Sequence, residues 1–348
     1  MSKTTVDAPA NIAFIKYWGA KDLERAIPQN PSISMTLETC RTRCTAEILE
    51  ETSASARSAG SGPAPHDEVW LSEADGSFRK PPPEFDLRVR AHLDRIRRWA
   101  GSRSSFRIAT RNGFPTGGGL ASSASGFAAL TLAAAGALDK GGVGSRELSR
   151  LARESGSGSA ARSVLGGYVE WPAGEARDEQ DSYAVQLAPA ESWDLRDVIA
   201  VVEIGPKVVS SLEGHRRAPT SPYFSRRLEL LPARLERVRQ AIESRDLALL
   251  GPVLEEEAVD LHLIAMSSSP PIFYWSPGTV GVLRAVRELR QEGLAAYATM
   301  DAGANVHVIC EPEAEDEVAG RLDDLPVVGF VLRDGVGEGP EIGIQHLF

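Results

Sequence analysis

The stretch Asn112-Gly-Phe-Pro-Thr-Gly-Gly-Gly-Leu-Ala-Ser-Ser-Ala-Ser-Gly126 joins a run of glycines to a run of serines. Three consecutive glycines at 117–119 permit a tight turn that brings bare main-chain N–H groups against an anion. The apolar segment that follows is typical of a helix start, whose N-terminus favours phosphate. The stretch therefore predicts a loop that binds a nucleoside triphosphate. The alternative, a glycine turn that only caps a buried helix, stays open, because the loop lacks the Lys-Ser/Thr ending of the common P-loop and the dinucleotide spacing.

The composition excludes several classes of partner. The 348 residues are 42% hydrophobic, which suffices for one large or two medium domains. The net charge of −10 argues against nucleic acid, so an anionic substrate needs a local cluster of cations. Three cysteines without metal-like pairing indicate a reducing, cytoplasmic location. We expect no signal peptide and no membrane partner, because the apolar stretches are short and interrupted.

Three other regions carry a similar density of polar residues, around Ile15-Lys-Tyr-Trp-Gly19, Ser155-Gly-Ser-Gly-Ser159 and Asp301-Ala-Gly-Ala-Asn305. Together with the glycine loop they resemble the mevalonate diphosphate decarboxylase family, within the superfamily of galactose, homoserine, mevalonate and phosphomevalonate kinases. The resemblance runs from about Asn11 to about Cys310, with the four motifs in the family's order. It implies a two-lobed fold with the active site in the cleft between the lobes, ATP and Mg²⁺ as cofactors, and an assembly compatible with a homodimer.

The order of elements predicts an α+β fold with mixed sheets and helices rather than a doubly wound sheet. We place a domain boundary near 189–194, which gives a nucleotide-binding domain over 1–190 and a second α+β domain over 191–348. Periodicity predicts strands over 6–17, 32–48, 105–110, 166–171, 198–204, 295–300 and 307–311, and helices over 84–99, 122–138, 146–153, 226–245, 248–266 and 279–292.

Asp301 follows an apolar strand and opens a turn that can present a carboxylate to a cleft. An Asp that bonds only its own turn is the commoner reading of Asp-x-Gly, but the resemblance makes it the residue that faces the substrate's 3-hydroxyl. Lys16 lies in an apolar segment, either pointing to solvent or buried with a partner. The resemblance, and the need for a cation near Asp301, favour an ion pair that keeps Asp301 charged.

Arg162 follows a turn rich in hydroxyls. Guanidinium matches a carboxylate with two parallel hydrogen bonds, and the resemblance assigns to it the carboxylate that leaves as CO₂, with Ser157 and Ser159 on substrate oxygens. A surface salt bridge is the alternative. The further substrate-binding residues implied by the resemblance are Asn11, Tyr17, Trp18, Arg88, Ser210 and His215. The implied ATP-binding residues are Pro115, Thr116, Gly117, Gly118, Gly119, Leu120, Ala121, Ser122, Ser123 and Ser125, with Ser122 and Ser123 also as candidate Mg²⁺ ligands.

Two positions depart from the family pattern at the 5-phosphate end of the substrate. Ala20 stands where the family usually has a lysine, with Lys21 one place later, and His215 replaces the usual methionine. A lost cation weakens binding of the outer phosphate most, which favours 5-phosphomevalonate as substrate unless Lys21 or His215 compensates.

The resulting prediction is an ATP-dependent carboxy-lyase of isoprenoid biosynthesis. It decarboxylates 5-phosphomevalonate to isopentenyl phosphate or, as the alternative, 5-diphosphomevalonate to isopentenyl diphosphate. A kinase that stops at the 3-phosphate and a non-catalytic binding protein are the rivals. The presence of both Lys16 and Asp301 argues against the first, and the glycine loop argues against the second.

Overall fold

The computed structural model describes residues 2–49, 66–115, 122–176, 180–205 and 207–348. The strands are β1 (Lys3–Ile15), β2 (Ala20–Asp22), β3 (Ile27–Pro28), β4 (Ser32–Leu49), β5 (Glu68–Ser72), β6 (Phe78–Arg79), β7 (Ser105–Asn112), β8 (Tyr168–Trp171), β9 (Val185–Ala188), β10 (Arg196–Val201), β11 (Ala296–Thr299), β12 (Val306–Cys310), β13 (Phe330–Gly335) and β14 (Glu341–Gly343). The helices are α1 (Pro83–Ala100), α2 (Ser122–Ala137), α3 (Ser145–Arg153), α4 (Ser211–Arg217), α5 (Phe224–Ser244), α6 (Leu247–Ser267), α7 (Pro277–Gln291) and α8 (Glu315–Asp323).

Two large sheets organise these elements into an α+β fold, as the sequence predicts. The first has the order β14-β1-β4-β7-β5-β6, and β8 joins it at β4 and carries β9. Its pairs are antiparallel except β5 with β7. The second sheet has the order β11-β12-β10-β13 and is antiparallel. The returning strand β14 pairs with β1, so the end of the chain lies in the first sheet. The division at 190/191 stays a prediction.

Helices cover both sheets. The first sheet packs against α1, α2 and α3, and α2 is buried on nearly all sides because it consists mostly of Ala, Leu and Phe. On the second sheet, α7 and α8 cover one face. Apolar residues of α5 and α6 share a core with Phe14 of β1 and Ile199 of β10, which joins the two sheets. None of the described helices has the length and apolarity needed to span a membrane.

Two predicted strands end earlier than their sequence indicates. β1 stops at Ile15, so Lys16 and Tyr17 follow the strand instead of lying in it. β10 stops at Val201, because Asn305 Oδ1 accepts hydrogen bonds from the N–H groups of Val202 and Glu203 and replaces the strand partner there. The short elements β2, β3, β5, β6, β9, β13, β14, α4 and α8 were not predicted. Most are too short for a clear periodic signal.

Candidate active site

Two adjoining cavities lie beside the N-terminus of α2. The first, here called the Asp301 cavity, has a volume of about 340 Å³. Its wall includes Tyr17, Arg88, Ser122, Ser123, Ser157, Ser159, Lys207, Ser210, His215 and Asp301. The second, here called the Val69 cavity, has a volume of about 550 Å³ and shares Arg88, Ser122 and Ser123 with the first. Two ligands bound in these cavities would therefore meet at the start of α2.

Lys16 and Asp301 form an ion pair at the base of the Asp301 cavity. Lys16 Nζ donates to Asp301 Oδ1 at 2.8 Å and to the carbonyl oxygen of Ala13 at 2.6 Å. The Lys16 side chain is 1% exposed, whereas that of Asp301 is 27% exposed and faces the cavity. The strand end at β11 presents Asp301, and the end of β1 presents Lys16.

This pairing keeps the aspartate ionised. Burial alone would raise the pKa of Asp301, but the charge and hydrogen bond of Lys16, with the charges of His307 and Arg162, hold it below its ordinary value. Because part of the side chain reaches solvent, the burial penalty is less than that of a fully enclosed carboxylate. Burial lowers the pKa of Lys16 from its ordinary value, and the attraction and hydrogen bond of Asp301 oppose that change.

Arg162 is a buried cation without a carboxylate partner in the described part of the chain. Its Nε donates to Ser34 Oγ at 2.9 Å, its Nη1 to Ser32 Oγ at 2.6 Å and its Nη2 to Asn11 Oδ1 at 2.9 Å. Burial lowers its pKa to about 10, while Asp301 and Tyr17 act in the opposite direction. A surface salt bridge, the alternative in the sequence analysis, is excluded by this burial. The guanidinium lies behind the cavity wall rather than on it.

Serines connect Arg162's turn to the start of α2. Ser157 Oγ donates to Ser123 Oγ at 3.1 Å and lies 3.5 Å from Ser159 Oγ. Asn11 Nδ2 donates to Ser163 Oγ at 2.8 Å, which leaves Asn11 Oδ1 free to accept from Arg162. Asn11 therefore orients Arg162 and does not reach the cavity wall, contrary to its predicted contact with substrate.

His215 packs against two aromatic rings of the segment after β1. Its ring centroid lies 4.0 Å from that of Tyr17 and 5.0 Å from that of Trp18. Its Nδ1 accepts from the N–H of Gly19 at 3.1 Å, so Nε2 carries the proton of the neutral ring. Burial, with the charges of Lys207 and Arg227, lowers the pKa of His215 to about 3. The cavity therefore meets a neutral hydrogen-bond donor.

Trp18 and Ser125 were predicted as ligand contacts, and the structure places both in the core. Trp18 packs with Phe224 and Tyr274 and is 1% exposed. Ser125 is buried, and its Oγ lies 2.7 Å from Thr42 Oγ1. Residues next to a motif are not all directed to the same side, because successive side chains point to different sides both in α2, which carries Ser125, and in an extended segment such as that of Trp18.

Of the predicted nucleotide loop, Pro115, Ser122 and Ser123 border the Val69 cavity. Thr116, Gly117, Gly118, Gly119, Leu120 and Ala121 lie outside the described residues. Sequence reasoning missed the rest of this cavity, whose apolar wall includes Val69, Leu71, Phe85, Val89, Ile108, Phe114 and Phe127. Such a wall fits a flat aromatic ring. No local pattern marks these residues, since they come from β5, α1, β7, the segment after β7, and α2.

Cations line the Asp301 cavity. Arg88 lies over the Phe127 ring at 4.8 Å, and its Nη2 donates a long hydrogen bond of 3.4 Å to the Gly156 carbonyl oxygen. Burial lowers the pKa of Arg88, and Glu84 opposes this. Sequence reasoning missed Lys207. Burial lowers the pKa of Lys207 below its ordinary value, and the negative charge of Asp301 opposes that change. By contrast, Lys21 is exposed and donates to the Gly174 carbonyl at 3.3 Å, away from the cavity wall.

Comparisons with known proteins show which family this chain resembles. The family model of the diphosphomevalonate decarboxylase-like N-terminal domain matches residues 8–184, and that of the mevalonate 5-diphosphate decarboxylase C-terminal domain matches 197–327. Diphosphomevalonate decarboxylase of Candida albicans is 34% identical over 98% of both chains. The crystal structure of mevalonate diphosphate decarboxylase from Staphylococcus aureus is 32% identical, with a TM-score of 0.86 and 98% of both chains covered. A structure of MDDEF in complex with MVAPP, AMPPCP and magnesium has a TM-score of 0.84 at 32% identity over 98% of both chains.

Proposed function

This chain belongs to the diphosphomevalonate decarboxylase family, and we propose that it catalyses the ATP-dependent decarboxylation of a 5-phosphorylated mevalonate in isoprenoid biosynthesis. The observation that carries the proposal is the Lys16–Asp301 ion pair in a cavity that adjoins a second cavity at the start of α2. The carboxylate in one cavity can accept the proton of an alcohol, and the serine hydroxyls at the junction can bind the phosphates of a nucleotide. Phosphorylation of an alcohol by ATP uses both groups.

Asp301 would accept the proton of the 3-hydroxyl as that oxygen attacks the γ-phosphate of ATP and ADP leaves. The bond between the substrate carbon and the phosphorylated oxygen then breaks together with the carbon–carbon bond to the carboxylate. Phosphate and CO₂ leave, and a double bond forms between the two carbons. Phosphoryl transfer depends mainly on positioning and charge neutralisation, so a weak base such as an ionised aspartate suffices. Arg162 lies on the side of the Ser157 turn, where it would stabilise charge at the carboxylate end.

ATP would lie with its base in the Val69 cavity and its phosphates towards Ser122 and Ser123. Among the described residues, no group of three His, Cys, Asp or Glu side chains forms a metal site. The hydroxyl oxygens of Ser122 and Ser123 suit Mg²⁺, which keeps several waters and binds mostly through substrate phosphates. Bound there, Mg²⁺ would supply charge neutralisation of the phosphates.

We propose 5-diphosphomevalonate as the substrate. Curated relatives with 34% and 35% identity are diphosphomevalonate decarboxylases, and the solved MDDEF complex contains MVAPP. These relatives favour the diphosphate over the monophosphate that the sequence predicts. The monophosphate stays a second candidate on one observation: Lys21 is directed to the Gly174 carbonyl, so it does not replace the cation missing at Ala20.

Ala20→Lys tests the 5-phosphate end. We expect kcat/KM of the wild type to be higher for the diphosphate, and the variant to raise that preference by about tenfold. A charge-assisted hydrogen bond contributes roughly 1.5–3 kcal/mol, and about 1.4 kcal/mol is tenfold. Competition between the two substrates measures both. Lys21→Ala is the matched control and should leave the preference unchanged. A wild type that prefers the monophosphate would support the second candidate.

His215→Met tests whether the Nε2–H group of the neutral His215 ring donates a hydrogen bond to the substrate. Removing a hydrogen bond from a neutral donor to a charged phosphate costs roughly 1.5–3 kcal/mol, so KM for the phosphorylated substrate should rise about tenfold or more while kcat changes less than twofold. Because the low pKa of His215 keeps the ring neutral, this difference in KM between wild type and variant should be constant from pH 6 to pH 8. Steady-state kinetics over that range measure it. An unchanged KM would mean that Nε2 faces water and not the substrate.

A further inference from the structure

The main chain of Lys16 is held on both sides by side chains from distant parts of the chain. Its N–H donates to Glu257 Oε2 of α6 at 3.1 Å. Its carbonyl oxygen accepts from Arg227 Nη2 of α5 at 2.8 Å and from Asn30 Nδ2 at 2.9 Å. Since Lys16 lies beyond the last residue of β1, these bonds replace the ladder bonds that a strand residue would have.

The groups that make these contacts form a buried ion pair of their own. Arg227 Nη2 lies 2.7 Å from Glu257 Oε2, and their side chains are 1% and 0% exposed. The second oxygen of Glu257 lies 2.7 Å from Arg234 Nη1. Burying such charges has a desolvation cost that their attraction often fails to exceed, so a buried pair is weak evidence for a role in stability alone. Its direct contact with Lys16 indicates another role.

Several charged and titratable groups surround Lys16. Asp301 follows β11, Asp197 lies on β10 and Arg162 lies in the turn before β8, while Arg227, Glu257 and His262 project from α5 and α6. Burial lowers the pKa of Lys16, Asp301 and then Glu257 raise it, and Arg162 lowers it. The pKa of His262 is lowered by burial to about 4, so that ring is neutral near pH 7.

We propose that Glu257, together with Arg227, is the positioning group of Lys16: the pair fixes the main chain of Lys16, and Glu257 supplies, besides Asp301, a second anion that acts on its ammonium group. This inference rests on the proposed role of the Lys16–Asp301 pair in the reaction. Through Arg227 and Glu257, the helices α5 and α6 thus fix the position of Lys16 and favour its charged form.

Glu257→Gln separates charge from geometry, because a glutamine oxygen can still accept from the Lys16 N–H. Loss of the anion lowers the pKa of Lys16, so the alkaline limb of the kcat–pH profile should move to lower pH. KM for ATP and for the mevalonate phosphate should stay within twofold. A purely structural role would reduce stability without moving this limb.

Asp260→Asn is the matched control. Asp260 lies on the same helix and bonds the same Arg234, at 2.6 Å, but it is not among the charged groups that act on Lys16. The alkaline limb of the kcat–pH profile of Asp260→Asn should coincide with that of the wild type. An unmoved limb in Glu257→Gln, or an equal shift in Asp260→Asn, would overturn the proposal.

Hydrogen exchange tests the same contact without activity. The Lys16 amide should exchange slowly in the wild type and in Asp260→Ala, and faster in Glu257→Ala, when followed by mass spectrometry of the peptide that contains Lys16. Equal exchange in all three proteins would overturn the proposal. If the wild type had no decarboxylase activity, the proposed function would fail while this measurement still decided the role of Glu257. Should the Glu257 variants fail to fold, Asn30→Ala, which removes a hydrogen bond to the Lys16 carbonyl oxygen, should speed the same exchange, and an unchanged rate would count against the proposal that side chains fix the Lys16 main chain.

Discussion

Asp301→Asn should abolish product formation and leave ATP binding within a few fold of the wild type. The variant keeps the size of the side chain but loses the charge that accepts the 3-hydroxyl proton, and loss of a positioned base costs about 10²–10⁴ in rate. The nucleotide would lie in the Val69 cavity, whose wall does not include Asp301. Product formation from saturating substrates, with ATP binding by calorimetry, measures both quantities.

The matched control for Asp301→Asn is Asp260→Asn, an equal change of charge away from both cavities. We expect it to keep most of the wild-type turnover. If Asp301→Asn itself retained more than half of that turnover, Asp301 would be only a turn-forming residue, and the Lys16–Asp301 pair would be structural.

Arg162→Lys should cause a severe loss of turnover. The guanidinium makes hydrogen bonds to Ser32, Ser34 and Asn11 in a planar fork, and an ammonium group cannot reproduce that fork or two parallel bonds to a carboxylate. Because the arginine would act as charge develops at the carboxylate, we expect kcat to fall by about 10²-fold or more, with a smaller change in KM.

A melting curve of the Arg162→Lys variant accompanies the kinetics, since the position is buried. A folded variant with unchanged kinetics would remove Arg162 from the reaction. A matched control is Arg239→Lys, whose guanidinium pairs with Glu170 at 2.6 Å outside both cavities, so this variant should keep the wild-type turnover.

The sequence predicted those features of the fold and the site that depend on a local pattern of residues. Asp301 stands at a strand end because an apolar run stops there, and α2 begins at Ser122 after the glycines. The contact between Lys16 and Asp301 was expected only through the family resemblance, because 285 residues separate them and no local period connects them.

The errors concern the direction of side chains. Trp18 follows Tyr17 in the same motif, yet it packs against Phe224 while Tyr17 borders the cavity. Adjacent residues in an extended segment point to opposite sides, and only the helix that covers one side decides which is buried. Lys207 was missed for a similar reason: nothing in its own segment shows that it lies opposite Asp301.

The most direct test of the proposed reaction measures ADP and CO₂ together from purified protein, Mg²⁺ and ATP, with each mevalonate phosphate in turn. We predict that both products appear in equal amounts, with 5-diphosphomevalonate used more efficiently. Formation of ADP without CO₂ would identify a kinase that stops at the 3-phosphate, and formation of neither with either substrate would contradict the proposed function.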